Sequence, residues 1–334
     1  MALNLCTRFA YVPMSAYRRT PRTDGIGMRT IDAVHLGLLL AALAITYVVP
    51  FELLLLSYVV LGPAHYFTEI SWLHDRKYFL PQRNVAFGLA GIAVVAALID
   101  NAAWFGFVIW MAFVACALLI TTTAAQSAIV TIVALGVTAM MAVNGSSLAV
   151  LGILLPTLIH VSLFTLVFMM LGAYRSGSKA QALLVVVYLM AIGIILVNPP
   201  SAATQIPAFA KAGQEYFGNV GPALGRLLGV ANLRLDTRLT SLLAFVYTYH
   251  YLNWFIKADV IRWAEIPRLR LALLVAASAA STALYFYNYA FGFTVLLALS
   301  LVHVVLEFPL NNLALRQLGA AAGHGFTQRL HRRA

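Results

Sequence analysis

The sequence predicts an all-α protein, a polytopic bundle of transmembrane helices. Of its 334 residues, 62% are hydrophobic and 10% are charged, whereas soluble domains carry about 25% charged residues. The mean hydropathy is +0.88, and apolar stretches long enough to cross a bilayer recur along nearly the whole chain. These stretches are unbroken and show no period-two alternation, so the sequence excludes a membrane β-barrel.

Ten membrane spans follow from the apolar stretches, and most are separated by short turns. The first turn is tight, around Pro50, and Asp100-Asn101 and Asn144-Gly145-Ser146 mark further turns. The one long connection, residues 198–237, is predicted to be non-cytoplasmic. The predicted spans cover approximately residues 30–49, 51–74, 85–100, 102–121, 126–143, 147–173, 180–197, 238–257, 269–289 and 291–314.

Basic residues determine the predicted orientation. With the arginine-rich residues 1–29 in the cytoplasm, ten crossings of the domain 30–314 return the basic tail 315–334 to the same side. Arg76, Lys77 and Arg175 then lie in cytoplasmic loops, and the opposite short turns carry no Lys or Arg, in agreement with the positive-inside rule. We attribute the net charge of +11 to topology and anionic lipids, not to nucleic acid. The predicted location is a bacterial inner membrane.

Four histidines and two glutamates lie inside predicted spans, where an ionisable side chain is costly. Spans 2, 6, 8 and 10, which run in the same direction, carry His65, His160, His250 and His303. Their depth follows from the number of residues between each histidine and the basic residue at the cytoplasmic end of its span. At about 1.5 Å per residue, the four histidines lie roughly 10 to 22 Å below the cytoplasmic surface. Glu69 and Glu307 each follow a histidine by four residues and share its helix face. Pro63 and Pro156 precede two of the histidines and are expected to free backbone carbonyls.

The shared depth predicts a metal centre, because iron, zinc and manganese accept imidazole and carboxylate ligands. The four histidines are the predicted ligands. Glu69 and Glu307 are predicted to be further ligands or to orient the imidazoles, and with Asn253 they are the candidate catalytic residues. Tyr247 and Trp254 are expected to form the pocket wall beside the metal, together with Asn253. Whether His74 and Lys257 take part stays open.

The stretch Gly62-Pro63-Ala64-His65-Tyr66-Phe67-Thr68-Glu69 resembles the Gly-x-Pro-His-Gly-x-x-Asp signature of the Brp/Blh family. Members of that family are integral-membrane β-carotene 15,15′-dioxygenases that hold iron through histidines. The resemblance covers about eight residues, with Tyr66 in place of a glycine and Glu69 in place of aspartate. It implies iron and a carotenoid-like substrate, with His65 as a ligand.

The function predicted from these observations is that of a metal-dependent membrane oxidoreductase, an oxygenase acting on a lipophilic small molecule such as a carotenoid or lipid. Fe(II) is the expected cofactor, and another transition metal stays open. Two alternatives use the same residues: a transporter of a metal, proton or small solute, and an electron carrier with b-type haem held by pairs of histidines. Membrane lipids are expected partners, and the sequence leaves the oligomeric state open.

Overall fold

The computed structural model describes residues 26–75, 83–99, 102–143, 154–200, 237–256 and 265–331, and these contain helices and no β-strand. The all-α prediction is confirmed for them. Several predicted features lie outside the described residues. They are residues 1–25 of the basic tail, the turns at Asp100-Asn101 and at Asn144, the loop that holds Arg76 and Lys77, Lys257, and most of the connection 198–237.

Ten helices make up the described part of the chain, and each predicted span falls on one of them. They are α1 (Ile26–Val48), α2 (Pro50–Asp75), α3 (Arg83–Ala97), α4 (Ala102–Leu119), α5 (Ala124–Val143), α6 (Leu155–Ser176), α7 (Lys179–Val197), α8 (Thr237–Ile256), α9 (Arg268–Tyr287) and α10 (Tyr289–His331). Helix α10 continues well past the predicted span end at residue 314, through a stretch rich in Ala, Leu, Arg and Gln, which are strong helix formers.

Six of these helices contain a segment long and apolar enough to cross a membrane, namely α1, α2, α6, α7, α9 and α10. The apolar parts of α3, α4 and α5 are shorter, at 10–17 residues. Helix α8 has 20 residues, but its Tyr, Thr, His and Asn side chains lower its hydropathy. The helices are consistent with an integral membrane protein.

Large apolar side chains cover much of the outer surface of the bundle. Ile132 on α5 is 68% exposed, and Leu273 on α9 is 61% exposed. In water a surface of this kind would promote association, whereas in hydrocarbon it is the expected surface. Polar groups gather inside instead, and α8 alone buries Thr240, Ser241, Thr248 and Asn253.

Two helices depart from α-helical geometry near a histidine. Helix α2 contains a π-helical segment at Ser57–Leu61, directly before Gly62, and α6 begins with one at Leu155–Phe164, which includes His160. A π segment has one additional residue in its turn, so it rotates the side chains that follow relative to a regular helix. These segments therefore determine the direction in which His65 and His160 project.

A hydrogen bond from another helix compensates for the break in α2. Pro63 has no N–H group, so it cannot bond to the carbonyl oxygen of Val59, four residues earlier. The hydroxyl of Thr282 on α9 donates to that oxygen at 2.8 Å. The irregular backbone next to the first histidine is thus held by a neighbouring helix, as membrane-buried backbone requires.

Polar contacts join neighbouring helix ends at several places. Three of them connect the end of α2 to the start of α9, the end of α6 to α10, and the end of α4 to α10. Their pairs are Asp75 with Arg270, Arg175 with Gln317, and Arg316 with the carbonyl of Ile120. Another joins the ends of α1 and α7, where the Tyr47 hydroxyl donates to the Asn198 carbonyl at 2.6 Å.

Candidate metal centre

Side chains from α2, α6, α8 and α10 converge at one point inside the bundle. They form the histidine cluster, which consists of His65, His160, His250 and His303. The Nε2 atoms of His65 and His250 are 3.1 Å apart, and those of His160 and His303 are 3.2 Å apart. One ligand nitrogen from each of the four residues lies within 4.8 Å of all the others.

These separations fit the coordination of a single ion. An imidazole nitrogen binds a metal such as zinc at about 2.0–2.1 Å, so adjacent ligands at right angles lie about 3.0 Å apart and opposite ligands about 4.2 Å apart. The separations of 3.1 and 3.2 Å correspond to adjacent positions. The widest separation of 4.8 Å exceeds the opposite spacing only slightly, so a small inward movement would bring all four nitrogens into range.

The four rings also pack against one another. The ring centroid of His65 lies 4.8 Å from that of His250 and 5.3 Å from that of His303. His160 lies 5.1 Å from each of the same two rings. Each of these contacts is edge-to-face, and every imidazole has two histidine neighbours, so the four rings form a closed group.

The histidine cluster and the two glutamates are largely shielded from solvent. His65, His160, His303, Glu69 and Glu307 are at most 3% exposed, and His250 is half-buried. No Lys or Arg is among the buried residues in the described part of the chain. A carboxyl group buried in this way either takes up a proton or needs a positive partner to stay ionised. A protonated imidazole or a bound cation can supply that charge.

The two glutamates occupy different positions. The Oε2 atom of Glu69 lies 2.9 Å from Nε2 of His65, the nitrogen that faces the centre. The Oε2 atom of Glu307 lies 3.4 Å from Nδ1 of His160, the nitrogen on the outer side of that ring. Glu69 can therefore reach the centre, while Glu307 orients a histidine on a different helix from its own.

Thr165 is a site residue that sequence reasoning missed. Its Oγ1 lies 2.7 Å from Nδ1 of His250, and the residue is 2% exposed at the end of the π segment of α6. If Nδ1 of His250 carries the proton and donates to this hydroxyl, Nε2 keeps its lone pair for the centre. No sequence pattern pointed to the contact, since 85 residues separate its partners.

The residues predicted for the pocket wall lie on α8. Trp254 packs edge-to-face on His65, with ring centroids 5.4 Å apart, and its indole N–H donates to the Thr68 hydroxyl at 3.1 Å. Tyr247 is buried, with its ring 5.9 Å from Tyr251. Asn253 is also buried, at 5% exposure.

His74 lies apart from the histidine cluster. Its side chain is 63% exposed, and its Nδ1 is 3.5 Å from the neighbouring Asp75 carboxylate. Arg270 binds the same carboxylate. Both contacts are at a solvated helix end, away from the buried centre.

Comparisons of the chain with protein-family models, with curated proteins and with solved structures find no match.

Proposed function

We propose that this chain is a metal-dependent oxidoreductase of a bacterial inner membrane, an oxygenase that holds non-haem iron in the histidine cluster. The observation that carries the proposal is the convergence of four imidazole nitrogens, one from each of four helices, with the Glu69 carboxylate beside His65. Four nitrogen ligands and one oxygen ligand suit iron and other first-row metals, and they leave a coordination position open.

The residues present fit a divalent cation in charge as well as in geometry. A dication would balance the carboxylates of Glu69 and Glu307 in a region whose described buried residues include no Lys or Arg. The outer nitrogens of His160 and His250 already face Glu307 and Thr165, in the arrangement that keeps ligand imidazoles neutral and aimed inward. Two imidazole hydrogen bonds alone would account for the 3.1 and 3.2 Å separations, but not for a ring nitrogen of all four histidines lying within 4.8 Å of the other three.

The protein would prepare the site for dioxygen and a lipophilic substrate. Iron, when bound, would supply the position at which dioxygen is activated. Aromatic side chains around the cluster would help to exclude water, and Trp254, which packs on His65, would offer a flat apolar surface to an elongated or conjugated molecule, with Tyr247 buried on the same helix. The resemblance of residues 62–69 to the Brp/Blh signature suggests carotenoids as the first compounds to try.

In this proposal the chain crosses the membrane ten times and both termini are cytoplasmic. The helix-end contacts support that count. The ends joined by the Asp75–Arg270, Arg175–Gln317 and Arg316–Ile120 pairs are all cytoplasmic in the ten-span topology, and the ends joined by Tyr47 and Asn198 are both on the opposite side. Single cysteines at exposed helix ends, labelled with an impermeant reagent in intact cells and in inverted vesicles, would test the assignment.

The geometry argues against the haem alternative. Two imidazoles that bind one haem stand on opposite faces of its macrocycle. Here the paired Nε2 atoms are 3.1 and 3.2 Å apart, and the remaining rings close the space around them. Such an arrangement has no slot for a planar macrocycle. The purified protein should therefore show no Soret band.

Metal analysis of the purified protein tests the proposal. We expect about one metal ion per chain in the wild type and a large loss of metal in His65→Ala and His303→Ala, since each removes a ligand. His74→Ala, at an exposed position outside the cluster, is the matched control and should keep the metal. The proposal would be contradicted if the wild type contained well below one metal ion per chain and if both cluster variants contained the same amount.

A second measurement separates an oxygenase from a transporter. Iron-loaded protein in detergent should consume dioxygen when carotenoid is added and release cleaved product. Metal-dependent flux into proteoliposomes without dioxygen consumption would instead favour transport through the same residues.

A further inference from the structure

Tyr66 is a buried side chain in close ring contact with the histidine cluster, and it comes directly after His65 in the chain. Its ring stacks on the imidazole of His303, with centroids 4.2 Å apart and planes 22° apart. The contacts among the histidines are all longer and edge-to-face. Tyr66 therefore covers one face of a predicted ligand, His303, whereas the contacts of His303 with His65 and His160 are edge-to-face.

The phenol end of the Tyr66 ring lies against the backbone of Gly62. A Cβ atom placed on Gly62 would be 2.9 Å from the phenol oxygen, 3.1 Å from Cζ and 3.3 Å from Cε2. Any residue other than glycine would therefore force the Tyr66 ring to shift from its position on His303. Tyr66 is fully buried, so the ring cannot swing out to relieve the contact.

The phenol oxygen of Tyr66 makes a further contact that holds the ring in place. It is hydrogen-bonded to the hydroxyl of Tyr251 on α8 at 2.8 Å, and either group can be the donor. Tyr251 is itself 1% exposed, and its ring centroid lies 5.0 Å from that of His65. One side chain on α2 is thus held by α8 and supports an imidazole on α10.

We infer that Tyr66 is a positioning residue for the metal centre: in contact with Gly62, stacked on His303 and hydrogen-bonded to Tyr251, it sets the plane of the His303 ring so that Nε2 points at the metal. The inference rests on the proposed metal site. It also assigns a role to Gly62, which leaves the space that the ring of Tyr66 occupies. An imidazole free to rotate about its Cβ–Cγ bond would present its nitrogen to the centre for only part of the time.

Three substitutions test this inference, with metal affinity and a ligand-field spectrum as readouts. Purified protein loaded with Co(II) reports ligand geometry through its visible absorption, and competition with a chelator gives the affinity. Tyr66→Leu, which removes the stack and the tether, should lower metal affinity about 10- to 100-fold, as loss of outer support does at other sites, and should change the Co(II) spectrum. Gly62→Ala should act in the same direction. Tyr66→Phe keeps the stack and should stay within a few-fold of wild type.

Tyr188→Leu is the matched control, because Tyr188 is an equally buried tyrosine that packs on Phe245 and Tyr249. It should lower thermal stability while leaving metal affinity and spectrum unchanged. If Tyr66→Leu does not accumulate as folded protein, Gly62→Ala provides the test. Wild-type affinity and spectrum in folded Tyr66→Leu, or in folded Gly62→Ala if Tyr66→Leu does not fold, would overturn the inference. A wild-type protein that binds no Co(II) or iron would overturn the proposed function instead.

Discussion

At the residue scale, the histidines of the cluster turn ring nitrogens towards one another, and the group beside the outer nitrogen determines how firmly a ring is held. The Glu307 carboxylate lies 3.4 Å from Nδ1 of His160, and the Thr165 hydroxyl lies 2.7 Å from Nδ1 of His250. A polar group at Nδ1 favours one tautomer and one orientation of the ring. The carboxylate and the hydroxyl thus support neighbouring ligands in the same way, although only the carboxylate adds charge.

Thr165 gives the sharpest test of this argument. Thr165→Val keeps the shape of the side chain but removes the hydroxyl that faces His250, so we expect metal affinity to fall about 10- to 100-fold. Thr165→Ser retains a hydroxyl and should recover most of the loss. Thr46→Val is the control, since Thr46 is fully buried but bonds only its own helix, at the carbonyl of Ala42. Equal affinities in Thr165→Val and Thr46→Val, measured by chelator competition, would rule out the role.

The two glutamates should respond differently to the same substitution. Glu307→Gln retains an oxygen that can accept from Nδ1 of His160, so we expect an affinity loss of about tenfold and an unchanged Co(II) spectrum. Glu69→Gln removes a carboxylate that can reach the metal, so it should change the spectrum and cost more affinity. Visible absorption of the two Co(II)-loaded variants makes the comparison. A changed spectrum in Glu307→Gln with none in Glu69→Gln would reverse the two roles.

At the element scale, the π segments of α2 and α6 are the features that turn two histidines towards the centre. In the sequence, Pro63 and Pro156 indicated irregular backbone near His65 and His160, but not its form. A π segment adds a residue to one turn, and whether the helix accepts it depends on which neighbours satisfy the freed carbonyls. For Val59 that neighbour is Thr282, more than two hundred residues later in the chain.

A double-mutant cycle tests the link between α2 and α9. Thr282→Val leaves the Val59 carbonyl without its hydroxyl donor and should destabilise the protein by about 1–3 kcal/mol. Pro63→Ala supplies a backbone N–H that can bond the same oxygen, so Thr282→Val should cost much less in a Pro63→Ala background. Unfolding in mixed detergent gives the three free-energy differences. Strictly additive effects would show that the two sites are independent.

At the scale of the whole molecule, the sequence predicted which helices meet but not how their side chains pair. Counting residues from basic helix ends placed all four histidines in one layer, because helix rise and span direction are simple arithmetic. The same spacing placed Glu307 on the face of His303, and packing brings its carboxylate to His160. The contact of Tyr66 with His303 likewise depends on how α2 and α10 lie against each other, which no local pattern encodes.

The histidine cluster joins four helices that are distant in sequence, so metal binding should stabilise the fold as a whole. A ligand that binds only the folded state stabilises it by about 2.7 kcal/mol when present at one hundred times its dissociation constant. We therefore expect a chelator to lower the melting temperature of wild-type protein in detergent, and added Fe(II) under anaerobic conditions to restore it. His65→Ala should melt at the lower temperature with or without chelator, whereas His74→Ala should behave as the wild type. A melting temperature that is indifferent to chelator in metal-loaded wild-type protein would show that the four helices do not depend on an ion to stay together.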